Sequence, residues 1–311
     1  MVDVQLGKLW CASSDFKNLK MMKIELYDKI YDCVSKYALF DSRSCRSMLK
    51  EKFPEVPDCA LGGIMSLYYQ RQMKFTLNKK LSKINQLYTR YKNAVEAGER
   101  PGILLRMAQE IEVCPSLLAR AILEKHFEAK DENGKEVSRS YISGLMKDAN
   151  LIKNHVLSYE VYLCVLHDEE YGPISNAINH SIGVEYELKL QRLVRDLKIP
   201  FHDENHLRAS GYDKTPDVKL EIPIAIDGFI VNWIESKASF GDEESHKGIL
   251  KKQLLSYVNR FGSGMVIYWF GYVDRITQDN GKQIIIRNSF PADVILMNPK
   301  CIDPSVDEYN L

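Results

Sequence analysis

The sequence has no surplus of charge. Lys and Arg together number 42, Asp and Glu also number 42, and the formal net charge at pH 7 is zero. No global field draws in a polyanion, so any nucleic-acid site must be a local patch. Paired cysteines are also missing. Cys11, Cys33, Cys45, Cys59, Cys114, Cys164 and Cys301 are scattered, with no Cys-x-x-Cys among them. That spacing argues against a zinc site, and the odd count in a 311-residue chain reads as free thiols in a reducing compartment. Nor does any apolar run approach the roughly 18 residues of a membrane span. The first residues, MVDVQLGKLWCASSDFKNLKMMK, lack a clean apolar core ahead of a small-residue cleavage site and do not read as a signal peptide. No short basic cluster supplies a nuclear address. The expectation is a soluble intracellular protein with no membrane role.

What is present is ordinary globular material. Hydrophobic residues make up 45% and charged residues 27%, in a length that suggests two domains. Residues 1–22 read as a flexible lead-in, 23–155 as a helical region and 156–311 as a second domain. Ile24, Tyr27, Ile30, Tyr31 and Val34 recur at helical spacing. The most patterned helical stretch is ILLRMAQEIEVCPSLLARAILEKHF, 103–127. Leu104, Leu105, Ala108 and Ile111 face inward. Cys114-Pro115-Ser116 breaks the run, and Leu117, Leu118, Ala121 and Ile122 face back. Two short helices around a tight turn give a helix-turn-helix layout, or a plain helical hairpin. Arg120 and Lys125 are expected on the exposed side of its second helix as nucleic-acid contacts. A vaguer similar unit spans 44–70, DENGKE at 131–136 reads as an exposed loop, and YGP at 171–173 as a turn between helices.

Past residue 180 the pattern changes. An amphipathic helix carries Leu188, Leu190, Leu193, Val194 and Leu197. An apolar hairpin follows, then a polar helix over 243–261, then GMVIYWFGYV at 264–273, apolar on both faces as a central strand is. IIIRNSF at 284–290 is a further strand, and the order gives an α/β core.

The hairpin TPDVKLEIPIAIDGFIVNWIESKA, 215–238, is interrupted by Asp217, Glu235 and Lys237. Cutting a phosphodiester needs a polarised phosphate, a nucleophilic water and positive charge for the transition state. Mg²⁺ is held by one or two carboxylates plus water and substrate, which suits Asp217 and Glu235. Lys237, two residues on, shares Glu235's strand face. Whether Asp217 joins them depends on register. A two-residue turn at Asp227-Gly228 sends it to the other face. A three-residue turn, or a bulge near Pro223, brings all three together through a one-residue offset. Surface ion pairs account for the same residues without catalysis. Glu187, with Glu185 as its fallback, is a candidate further ligand or a helix-dipole partner. Gln253 and Tyr257 sit one turn apart and could touch a phosphate or the catalytic water. Lys247, Lys251, Lys252 and Arg260 make the same helix basic outside, either for a nucleic-acid backbone or for solvent.

Taken together, TPD at 215–217, ESK at 235–237, a preceding GxxxE at 183–187 and a following QxxxY at 253–257 resemble the PD-(D/E)xK nuclease superfamily. GYDKTPD, WIESKASFGDEESH and NRFGSGMVIYWFG resemble its TPD-motif branch, which includes an animal nuclease that interacts with codanin. The resemblance implies a restriction-endonuclease-like α/β domain with a mixed four-stranded sheet. It implies Mg²⁺ or Mn²⁺ at Asp217 and Glu235, with Lys237 beside the water, and N-terminal helix-turn-helix units. It also implies a codanin-type partner and residence in nucleus and cytoplasm. The activity expected is metal-dependent cleavage of nucleic acid, of structured or branched DNA before RNA, in a chain that could work as a homodimer. The alternative is a nuclease-fold scaffold for its partner.

Overall fold

In the computed structural model, residues 21–37, 42–128, 138–277 and 283–298 are described. The expected lead-in, up to residue 20, and the loop at 131–136 fall outside them. The chain divides into two compact units, residues 28–182 and residues 183–311, the latter joined by the segment that ends at Tyr27.

The first unit is helical: α1 (Ile24–Ser35, shared with the second unit), α2 (Ser42–Lys52), α3 (Asp58–Leu81), α4 (Ile84–Glu96), α5 (Ile103–Glu110), α6 (Pro115–Glu128), α7 (Arg139–Lys147), α8 (His155–Leu166) and the first half of α9 (Pro173–Asp196). Its core joins Leu104, Met107 and Ala108 of α5 to Leu118, Ala119, Ile122 and Leu123 of α6 and to Leu157, Val161 and Cys164 of α8. Two carboxylates from the end of this unit close two helix starts. Both oxygens of Glu160, 1% exposed, accept backbone N–H groups ahead of and within α5: Gly102 at 2.7 Å and Leu104 at 2.9 Å. Asp168 accepts the Ser116 N–H at 2.8 Å, at the start of α6. Helix starts leave N–H groups without intrahelical partners, and a carboxylate satisfies both their hydrogen bonds and their positive potential. Residues 156–182 therefore belong with the helices, and the boundary expected at 155/156 moves to 182/183. Met22 and Tyr27 belong with the sheet for a similar reason. The Met22 N–H donates to the Tyr272 carbonyl at 2.8 Å, and the Tyr27 hydroxyl donates to Asp242 at 2.7 Å.

The second unit adds β1 (Phe201–Asp203), α10 (Glu204–Ala209), β2 (Val218–Ile226), β3 (Phe229–Lys237), α11 (Glu243–Ile249), a π-turn (Leu250–Leu254), α12 (Leu255–Phe261), β4 (Gly264–Tyr268), β5 (Ile284–Arg287) and β6 (Ile295–Leu296). The sheet runs β1-β2-β3-β4-β5, with β6 beside β2. It has six strands where four were expected. β3, β4 and β5 are parallel and the other pairs antiparallel, so the sheet is mixed, as anticipated. Leu190 and Val194 of α9 pack on one face, over Val218, Ile224, Ile234 and Met265. Leu254, Tyr257 and Val258 cover the other, against Trp233, Val266 and Ile284. A Cβ at Gly264 would lie 2.2 Å from the Trp233 ring, so glycine is what lets the indole cross β4. Among the described residues no helix is long and apolar enough to cross a membrane.

Candidate active site

The hairpin register decides whether the three charges meet. The turn is the two-residue kind, with Asp227 at φ 51° and Gly228 at φ 76°, and it pairs Ile226 with Phe229. Left uncorrected, that register would put Asp217 on the wrong face. It is corrected farther along. Ile224 pairs with Val231, but Lys219 pairs with Trp233, so residues 220–223 span only Asn232. The irregularity lies between Lys219 and Ile224, a stretch that includes Pro223, which has no N–H to give the ladder. The offset is three residues rather than the expected one. Because both are odd, the parity flips either way. Val218 then opposes Ile234, and Asp217 comes up beside Glu235 on the face Glu235 shares with Lys237.

Glu235 is 3% exposed. Its Oε1 accepts from Lys237 Nζ at 2.6 Å, whereas its Oε2 is buried without any hydrogen-bond partner. Asp217 is half-buried, and its Oδ2 accepts from the Ser236 N–H at 2.7 Å. Lys237 Nζ also donates to Gln253 Oε1 at 3.3 Å. Burial, followed by the charge of Glu235, pushes the Asp217 carboxyl well above its ordinary range. Burial also raises Glu235, with Lys237 opposing. Burial disfavours the Lys237 ammonium, but the charges of Glu235, Asp217 and Glu187 outweigh it and raise its pKa. The site thus has a firmly charged lysine and two carboxylates too close to be comfortable together.

Glu187, on α9, is half-buried and near enough for its charge to act on all three residues, but it hydrogen-bonds none of them. Glu185 is exposed and acts on Lys189 instead. Among the described residues no group of three or more His, Cys, Asp or Glu is arranged to hold a metal. The donor set at hand is therefore a pair of carboxylates, all oxygen, with one buried oxygen vacant. That suits a hard divalent ion which completes its shell with water and substrate.

Other residues hold the site in shape, and two of them, Ser236 and Trp269, are not singled out by the sequence. Tyr257 has a protein partner. Its hydroxyl donates to the Thr215 carbonyl at 2.8 Å, fixing the turn before Asp217. Arg260 is spent on the same loop, at 2.6 Å from Asp213. Trp269 Nε1 donates to Ser236 Oγ at 2.8 Å, steadying the residue whose N–H holds Asp217. The small residue between Glu235 and Lys237 was the available signal. The single long helix expected over 243–261 is interrupted by the π-turn, which carries Gln253 and leaves Lys251 and Lys252 exposed.

The helical unit departs further from expectation. α6 is enclosed by α4, α5, α7 and α8. Arg120 is half-buried and donates to Ser143 Oγ at 3.2 Å, and Lys125 pairs with Glu128 at 3.0 Å. The exposed basic face expected of a reading helix is not there.

The comparisons with known proteins agree with where the motif residues lie. A family described as a protein of unknown function with a TPD sequence-motif matches residues 153–290. CDAN1-interacting nuclease 1 of Xenopus laevis is 39% identical over 273 residues, covering 87% of this chain and 89% of that protein. The Homo sapiens protein of that name is also 39% identical over 273 residues, 87% of this chain and 96% of its own. The Danio rerio protein is 38% identical over 292 residues, 93% and 95% respectively. No solved structure matches. At this identity over most of both lengths, and with Thr215-Pro216-Asp217 at the head of β2, the chain belongs to the TPD-motif family of CDAN1-interacting nuclease 1 proteins.

Proposed function

We propose that the chain is a metal-dependent nuclease of the PD-(D/E)xK type that hydrolyses phosphodiester bonds in DNA. The observation that carries this is the vacant, buried Oε2 of Glu235, beside a second carboxylate and a charged lysine. A protein rarely leaves such an oxygen unpartnered without a use for it, because its desolvation costs about 1–3 kcal/mol or more. Asp217 and Glu235 would hold Mg²⁺ or Mn²⁺, with Glu187 near enough to act through water. Bound there, the ion supplies a polarised phosphate oxygen and a water of lowered pKa. Lys237, kept charged by its neighbours, orients that water and faces the charge that develops on the phosphate. Gln253 fixes the lysine, and the Ser236 N–H fixes Asp217. Lys251 and Lys252, which are exposed, would contact the nucleic-acid backbone. The relatives' name carries a CDAN1 partner, and we extend a codanin-type partner to this chain.

The test is cleavage of labelled single-stranded, duplex, flap and four-way-junction DNA and of an RNA, with Mg²⁺, Mn²⁺ or EDTA. Metal-dependent cutting by the wild type, lost in folded Asp217→Ala and Lys237→Ala, supports the reading, and the preferred substrate names its class. No cutting of any substrate would leave a nuclease-fold scaffold.

A further inference from the structure

We infer that the solvent face of α4, together with the lysines at the α3–α4 turn, is the surface on which the helical unit holds double-stranded DNA. The ligand's identity rests on the nuclease reading; the surface itself rests on charge and side-chain chemistry. In a chain balanced at 42 positive and 42 negative residues, the stretch 59–95 carries Arg71, Lys74, Lys79, Lys80, Lys83, Arg90 and Lys92 and no Asp or Glu. The run ends at Glu96, the last residue of α4, and is a local excess of positive charge on a neutral protein. Some of its cations are engaged. Lys80 pairs with Glu112 at 3.2 Å and Arg90 with Glu110 at 2.6 Å. Lys79 and Lys83 are exposed and make no ion pair among the described residues. Phe75, 72% exposed, lies close by in sequence, with Lys74 Nζ 5.8 Å from its ring centre.

The face of α4 is unusual in a second way. Leu87, Tyr88, Tyr91 and Ala94 are buried, which leaves Asn85, Gln86, Thr89 and Asn93 along the exposed side, with Arg90 and Lys92 beside them and Glu96 at the end. Exposed helix faces normally use Lys and Glu, which favour the helix and pair at i, i+4; Asn and Thr do neither well. The same side chains read base edges: Asn and Gln pair with adenine, and Arg with guanine. Asn85, Thr89 and Asn93 recur at i, i+4 and i+8, in line along the helix. They border a shallow, open depression with Gln86, Arg90, Ala94 and Glu99, whose carboxylate is paired with Arg106 at 3.0 Å. The major groove of B-DNA admits a helix, whereas that of A-form RNA is too narrow, so a helical face of this kind selects duplex DNA. α6, the helix that the helix-turn-helix layout would have offered, is enclosed and unavailable.

The test uses the full chain carrying Asp217→Asn, in EDTA, with anisotropy of a labelled duplex measured across a salt series. Lys79→Glu/Lys83→Glu is expected to weaken binding at least about tenfold at low salt. It should also make the slope of log affinity against log salt shallower by about 2, one unit per phosphate contact. Asn85→Ala/Asn93→Ala should weaken binding with the slope unchanged. Lys147→Glu/Lys153→Glu, exposed lysines of the same unit, should match the parent. Thermal melts check that each variant folds. Three results overturn the inference: a parent chain that binds no duplex, an unchanged slope in Lys79→Glu/Lys83→Glu, or equal losses in the control pair. If that double variant instead loses binding to polyglutamate while keeping DNA, the surface serves an acidic protein and the inference is likewise wrong. Cleavage by the wild type with Mg²⁺ is scored separately. Binding as expected without cutting removes the nuclease reading alone; cutting without the expected binding changes removes this one alone.

Discussion

Glu160 and Glu235 are the same residue type, at 1% and 3% exposure, in two regions built differently. In the helical unit, each Glu160 oxygen receives a backbone N–H at the start of α5. In the sheet unit, one Glu235 oxygen receives Lys237 and the other receives nothing. Asp168 and Asp217 repeat the contrast. Asp168 accepts the N–H groups of Ser116, Glu170 and Tyr171, whereas Asp217 accepts that of Ser236 and faces a second carboxylate. Burial alone therefore does not distinguish a structural carboxylate from a chemical one. What differs is whether the fold has already used its lone pairs.

The sharpest way to break this contrast is to remove each kind of carboxylate in turn. Asp217→Asn and Lys237→Ala should each reduce single-turnover cleavage about 10³-fold or more, as loss of a charge aimed at the transition state does. Asp217→Asn, which relieves repulsion, should melt at or above wild type, whereas Lys237→Ala leaves the buried Glu235 carboxylate without its ion-pair partner and should melt lower. Glu160→Ala should spare cleavage. It strands two buried N–H groups at a cost of about 3 kcal/mol or more, lowering the midpoint in calorimetry while the folded fraction cuts at the normal rate.

A third carboxylate lies between these cases. Glu170 accepts from Ser66 Oγ at 2.7 Å, yet burial, helped by Asp168 and Glu169, pushes it up to about 7 from 4.5. The folded state therefore keeps a proton that the unfolded chain releases between those values. Stability should fall as pH rises from about 4.5 to 7 and level off above it, by up to ~3 kcal/mol for this group. In Glu170→Gln that part of the decline should vanish, read from denaturant midpoints at pH 5 and pH 8. The smallest effect expected is that of Tyr257→Phe. Losing its bond to the Thr215 carbonyl should cost about 1 kcal/mol of stability and slow cleavage about tenfold, through a looser Asp217.

The contrast also explains what could be read beforehand. Alternation in β2 and β3, the Asp227-Gly228 turn and the two-residue step from Glu235 to Lys237 are local, and they were legible. So was the need for an odd offset. Its size, and the choice between turn and bulge, depended on how β2 pairs with β1 and β6, strands of three and two residues too short to carry a pattern. The boundary at 182/183 was hidden because Glu160 and Asp168 reach helix starts more than 50 residues earlier in the chain. The enclosure of α6 was hidden for a similar reason. Half-buried Leu117 and Ala121 look like the edge of a narrow apolar stripe, and only the packing of four neighbours shows that the opposite face is covered too.

If the vacant oxygen of Glu235 holds a metal together with Asp217, and the satisfied pair on Glu160 holds none, metal binding alone separates the two carboxylates. The experiment is calorimetric titration with Mn²⁺ alone, on wild type, Glu235→Gln, Asp217→Asn and Glu160→Gln, each shown to be folded. Saturable Mn²⁺ binding is expected in wild type and Glu160→Gln, and its loss in both Glu235→Gln and Asp217→Asn. Undiminished binding in a folded Glu235→Gln, or none in the wild type, would contradict it.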